Sequence, residues 1–125
     1  MNKKLRKSKK YNPNDYWNKV AKRINERGET NFLAGDQSPY YDYQRFKFIK
    51  EFSKIDFSKK AVLEIGCGPG GNLKILSEMG ARRIVGCDIS ENMINLSSKN
   101  LAEVNPKVEL FVTDGSNIPL EDNSI

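Results

Sequence analysis

Apolar positions follow two different periods along this chain, and the change between them falls near residue 60. In residues 11–57 the spacing is helical. Trp17, Val20, Ala21 and Ile24 share one face of a first helix, which Asn14, directly after Pro13, caps and Gly28 ends. The polar stretch GETNFLAGDQS reads as a loop. Ser38-Pro39 then supplies the N-cap and first position of a second helix, with Tyr43, Phe46, Ile49 and Phe52 on one side. Beyond residue 60 the pattern changes to strand, glycine loop and helix. Ala61–Ile65 (AVLEI) is a short, mostly apolar run that enters GCGPGG, the pattern of a buried parallel strand. Leu73, Ile75, Leu76 and Met79 mark a short helix over 72–79, broken at Gly80. Arg83–Cys87 (RIVGC) is a second strand closed by Asp88. Ser90 caps the next helix, Glu91 suits its first turn, and Met93, Ile94, Ser97 and Leu101 form its inner face. Asn105-Pro106 turns the chain into Val108–Thr113 (VELFVT), a third strand ending at Asp114.

The order β-α-β-α-β after two helices predicts an α/β fold, the first half of a doubly wound parallel sheet. Right-handed crossovers bring all three strand C-termini to one edge, where such sheets bind ligands. The expected division is a basic, disordered tail at 1–12, a helical aromatic cap at 13–58 and a cofactor-binding half at 59–125.

Composition narrows this in three places. A length of 125 residues, 38% hydrophobic and 30% charged, fits one domain, and no run of 18 apolar residues suggests a membrane span. Two cysteines, Cys67 and Cys87, fit a reduced, cytoplasmic protein, and with no histidine the commonest zinc sites are excluded from this stretch. The net charge of +5 belongs to the tail: Lys3, Lys4, Arg6, Lys7, Lys9 and Lys10 are cationic, and the remaining chain is near neutral. Nucleic acid binding through that tail is not favoured, because no aromatic residue interleaves its charges.

Each strand end carries candidate chemistry. Glycines after the first strand let the backbone approach a ligand closely, and the following helix N-terminus offers free N–H groups. Asp88, 20 residues after Gly68, suits a ribose diol. Asp114, one strand further out, suits an exocyclic amine such as that of adenine. These groups describe a nucleoside-containing cofactor. Gly66, Gly68 and Gly71 satisfy G-x-G-x-x-G, so an NAD(P)-binding oxidoreductase fragment stays open, as does a non-catalytic nucleotide- or RNA-binding module. Against the dinucleotide, Glu64 would repel a pyrophosphate and suits an ammonium group better.

The segments VLEIGCGPGGN, VGCDIS and VELFVTDGSNIPLEDNSI resemble the class I S-adenosylmethionine-dependent methyltransferases, whose sheet is Rossmann-like. The small-molecule type, with its E-x-G-C-G-x-G loop and D-x-x-x-[IL]-P-[LF] segment, is the most similar. The resemblance implies S-adenosyl-L-methionine as cofactor and a small-molecule acceptor. It implies that Gly66, Cys67, Gly68 and Gly70 form the loop beneath the cofactor and that Glu64 holds the loop and the amino group. Asp88 would take the ribose hydroxyls, Ile89 and Met93 the adenine face, and Asp114-Gly115 the adenine amine. In that family the fourth strand lies beside the first, and this chain ends at Asn123-Ser124-Ile125, where it should begin. The expectation is therefore a piece of a longer protein, with the first strand left as an apolar edge. Tyr40, Tyr41, Tyr43 and Phe46 read as packing residues, and Arg45 as solvated. No catalytic base and no metal ligands are nominated.

Overall fold

The computed structural model describes residues 10–27 and 39–125. Most of the expected tail, the stop at Gly28, the loop after it and the Ser38 cap lie outside the described residues. Helix α1 spans Pro13–Glu26. Its N-cap is Asn12 and not Asn14, with the Asn12 carboxamide accepting from the Asp15 N–H at 3.2 Å. Pro13 explains the shift. Its ring-fixed φ suits the first helical position and it has no N–H to satisfy, so the cap falls on the residue before it. Asn14 lies within the first turn and accepts from Asn18 Nδ2 at 2.7 Å. Val20, Ala21 and Ile24 are buried as expected, whereas Trp17, at the end of that face, is 36% exposed.

Helix α2 spans Pro39–Phe52, and its expected inner face is corrected. Tyr43, Phe46 and Ile49 are exposed, and so is Tyr40, so these rings are not packing residues. Of the expected face only Phe52 packs on the core, and Phe48, outside that face, joins it. Phe48 stacks on Phe52 with ring centroids 4.2 Å apart, and Phe52 on Phe57 at 5.9 Å. This column of rings joins the core. Apolar residues occur almost all round α2, so spacing alone allows several stripes; the partner surface selects one.

The remaining elements follow the expected order: β1 (Ala61–Ile65), α3 (Gly71–Glu78), β2 (Arg83–Asp88), α4 (Glu91–Asn100) and β3 (Glu109–Val112). The strands form one parallel sheet in the order β1-β2-β3. Ile65 lies opposite Cys87 and Asp88 opposite Val112, so the three C-termini share an edge. β2 is central and buried, with Ile84, Val85 and Cys87 all at 1% exposure or less. β1 has the composition of a buried strand but lies at an edge of the sheet, the exposed apolar edge that the resemblance implies. Among the described residues it pairs only with β2, and Ile65 is 65% exposed.

Leu73 and Leu76 of α3, Ile84 of β2, and Ile94 and Leu101 at α4 share one core with Phe57. α3 approaches the sheet so closely that a Cβ on Gly86 would lie 2.5 Å from Leu73 Cδ1. α1 packs on α4 through Val20, Ala21 and Ile24 against Met93. At the far end of the sheet Arg83 grips Glu109 through two bonds of 2.7 and 2.9 Å and also donates to the Ser124 carbonyl at 3.4 Å. Among the described residues no helix is long and apolar enough to cross a membrane.

Candidate cofactor site

β1 delivers Glu64 and Ile65 to the sheet edge, and the glycine loop then turns back over β2. The Gly66 and Cys67 N–H groups both donate to the Cys87 carbonyl, at 2.8 and 3.0 Å. The Gly68 N–H donates to Asp88 Oδ2 at 2.9 Å, and Asn100 Nδ2 donates to the Pro69 carbonyl at 3.0 Å. These bonds hold the loop rigidly above the end of β2. Asp88 is nearly buried, and its other oxygen accepts the Ser90 N–H at 2.9 Å. Ser90 in turn caps α4 by accepting from the Met93 N–H, as its sequence position predicts.

Two cavities meet at Gly66 and Gly68. One, of about 350 Å³, is walled by Glu64, Cys67 and Asn72, with Tyr41, Gln44 and Arg45 reaching it from α2. The other, of about 440 Å³, is walled by Asp88, Ile89, Met93, Asp114 and Gly115, with Pro13 and Trp17 from α1. A Cβ built on Gly66 or Gly68 would meet nothing within 4 Å, so both glycines leave open a cradle that any larger residue would enter. Gly68 also has φ +52°, a conformation that costs an L-residue about 1 kcal/mol or more.

Gly70 differs. It is buried at the N-cap of α3, lines neither cavity, and has φ +93°; a Cβ there would lie 2.7 Å from Ser97 Oγ and 2.8 Å from Leu101 Cδ1. Its bareness serves the close approach of the loop to Ser97 and Leu101 at α4. Every other residue expected to touch a cofactor lines one cavity or the other.

Glu64 is electrostatically unusual. Burial raises its pKa to about 7, opposed by the hydrogen bond from Asn72 and reinforced by the nearby Asp88 charge. Asn72 Nδ2 donates to Oε1 at 2.7 Å, while Oε2 is buried with no protein partner. A group whose folded pKa exceeds its ordinary value contributes stability that is full below that value and is lost as pH rises through the folded pKa. For Glu64 the window runs from 4.5 to about 7. The loss is on the order of 3 kcal/mol, at roughly 1.36 kcal/mol per pKa unit. Urea melts at pH 5 and pH 8 should therefore differ less for Glu64→Gln than for the wild type, with the variant the more stable at pH 8. An equal pH dependence in the two proteins would refute this assignment.

Asp114 is held below the usual carboxylate range by the Ser116 hydroxyl and N–H, which donate to its Oδ1 at 2.6 and 2.9 Å. Cys67 is pushed up to about 12, chiefly by burial, so it is an unreactive thiol. Three residues at the site escape sequence reasoning. Asn72 partners Glu64 from the first turn of α3, and Trp17 and its neighbour Asn18 come from a helix distant in sequence. No local pattern marks any of them as a site residue.

Comparison with known proteins agrees with this geometry. A family model described as a methyltransferase domain matches residues 62–125, just over half of the chain. The ribosomal protein L11 methyltransferase of Glaesserella parasuis serovar 5 is 37% identical over 62 residues, covering 47% of this chain and 21% of the relative. Among solved structures, the PH0226 protein of Pyrococcus horikoshii OT3 is 31% identical with a TM-score of 0.58, covering 69% of this chain and 40% of that one. The magnesium protoporphyrin IX methyltransferase of Synechocystis PCC 6803, solved with bound S-adenosylhomocysteine, is 24% identical with a TM-score of 0.62. That match covers 81% of this chain and 49% of its own. The chain thus spans less than half the length of each of these three proteins. The matched segment runs from the second residue of β1 through β3 and includes the glycine loop and its flanking carboxylates, and by that match the chain belongs to the methyltransferase domain family.

Proposed function

We propose that this chain forms the S-adenosylmethionine-binding half of a methyltransferase that acts on a small-molecule acceptor. The observation that carries the proposal is the placement of Glu64 beside the glycine loop, with one carboxylate oxygen buried and unpartnered. A dinucleotide would bring its pyrophosphate to this loop and meet a carboxyl group. The ammonium of a methionine moiety supplies the donor that Glu64 Oε2 lacks.

The other cavity complements the rest of the ligand. Asp88 Oδ1 and Oδ2 each accept one backbone N–H, which fixes the carboxylate while leaving lone pairs for a ribose diol. Ile89 and Met93 offer apolar surface for the base, and Asp114 keeps an oxygen for its amine. When bound, the cofactor supplies an activated methyl group on a sulfonium centre. The chain's own residues then bind, orient and desolvate. The loop fixes the ligand at Gly66 and Gly68, while Tyr41, Gln44 and Arg45 of α2 restrict water at the methionine end. S-adenosylhomocysteine bound to the relative from Synechocystis, in the same fold, supports this reading.

Calorimetric titration of the full-length protein discriminates the candidates. S-adenosylhomocysteine should bind at micromolar concentration or below, and NAD should give no saturable heat. Binding of NAD in preference would overturn the proposal.

A further inference from the structure

We propose that α1 is part of the cofactor site: Trp17 is a wall against which the adenine lies, and Asn18 is the positioning residue that holds α1 there. The inference rests on the S-adenosylmethionine reading and adds to it a residue that lies outside the glycine loop and the strand ends.

Trp17 continues the face of α1 that packs on α4. Val20, Ala21 and Ile24 on that face are 4% exposed or less, yet Trp17 is 36% exposed. Its uncovered part borders the larger cavity, whose other walls are Pro13, Asp88, Ile89, Met93 and Asp114. An indole there faces the space between the ribose carboxylate and the apolar residues expected to contact the base. Flat aromatic surface of that size stacks on a purine through area and dispersion, without a specific hydrogen bond.

Asn18 determines where that ring sits. Its Oδ1 accepts the Ser90 hydroxyl at 2.6 Å and the Asn92 N–H at 3.2 Å, and its backbone carbonyl accepts from Asn92 Nδ2 at 3.4 Å. Its Nδ2 donates to Asn14, so the carboxamide orientation is defined on both sides. Ser90 also donates its backbone N–H to Asp88, which accepts the Gly68 N–H through its other oxygen. One hydrogen-bonded chain therefore joins the loop, the ribose carboxylate, the α4 cap and α1. It fixes the residue directly after Trp17 relative to Asp88.

The test uses the full-length protein, S-adenosylhomocysteine and adenosine as probes, and the variants Trp17→Ala, Trp17→Phe, Asn18→Ala and Asn18→Asp. Trp17→Ala should weaken both probes by about tenfold, while Trp17→Phe stays within about threefold, since a ring is retained. Wild-type tryptophan emission should change on titration with S-adenosylhomocysteine, and that change should be missing in Trp17→Phe. Asn18→Ala should weaken S-adenosylhomocysteine about threefold or more well below its melting temperature. Asn18→Asp, which keeps the accepting oxygen, should recover most of that loss. Unchanged affinity in Trp17→Ala, with wild-type binding intact, would overturn this inference and leave the cofactor reading standing. An Asn18→Ala protein that melts earlier but binds equally well would reduce Asn18 to a packing role and overturn its part. Absence of wild-type binding would overturn inference and reading together.

Discussion

Asp88→Ala is expected to abolish measurable S-adenosylhomocysteine binding and to lower stability by about 3 kcal/mol. The stability loss follows from the two bonds the side chain makes within the protein, and the binding loss from those bonds together with the proposed ribose contact. Gly68 N–H and Ser90 N–H each donate to a separate carboxylate oxygen at 2.9 Å. Alanine leaves both donors without acceptors in a nearly buried place, at roughly 1–3 kcal/mol for each. The loop loses its tether to the end of β2, and in the proposed complex the ribose would lose its acceptor. Asp88→Asn should be almost as damaging. An asparagine has one accepting oxygen, so either orientation sets its NH₂ against one of the two N–H groups. Urea melts and calorimetry on the three proteins would check this. An asparagine variant that binds within about threefold of the wild type would show that one of the two bonds is dispensable.

The second large effect separates two glycines that look equivalent in the sequence. Gly68→Ala should reduce S-adenosylhomocysteine affinity by about a hundredfold or more while costing only about 1 kcal/mol of stability. The new methyl meets no protein atom within 4 Å and enters the cradle, so the main cost to the free protein is the φ of +52°. Gly70→Ala should do the reverse. Its Cβ meets Ser97 and Leu101 at under 3 Å, in a backbone with φ +93°, so roughly 3 kcal/mol of stability is lost. Whatever stays folded should bind within a few-fold of the wild type. Thermal melts with and without S-adenosylhomocysteine report both quantities. If Gly68→Ala proves the less stable variant and Gly70→Ala the weaker binder, the assignment of the two glycines is reversed.

These cases show how far residue order reaches. AVLEI and RIVGC are recognisable as strands because their apolar runs are short and end in glycine or a carboxylate. Ser90 is recognisable as a cap because capping depends on a few neighbouring residues, and the structure places it there. Glu64, Asp88 and Asp114 reach one edge of the sheet because right-handed crossovers make the parallel strands end there. The cap of α1 lies two residues before the expected Asn14, since both Asn12 and Asn14 flank the proline and only Pro13's preference for the first turn decides between them. The inner face of α2 differs from the expected one for another reason. Its aromatic residues surround the helix, and the stack on Phe57 alone selects Phe48 and Phe52.

By itself, then, the sequence determined the β-α-β-α-β order, the glycine loop and the chemistry at the strand ends, all of which rest on contacts within one turn, one strand or one crossover. Only the tertiary structure decided which glycine faces the cavities and which faces a helix, and how far Glu64 is removed from water. It also decided that Asn18 meets Ser90 across 72 residues and brings Trp17 to the cavity beside Asp88. Those properties depend on what lies opposite a side chain after packing, and packing joins residues that no local pattern connects.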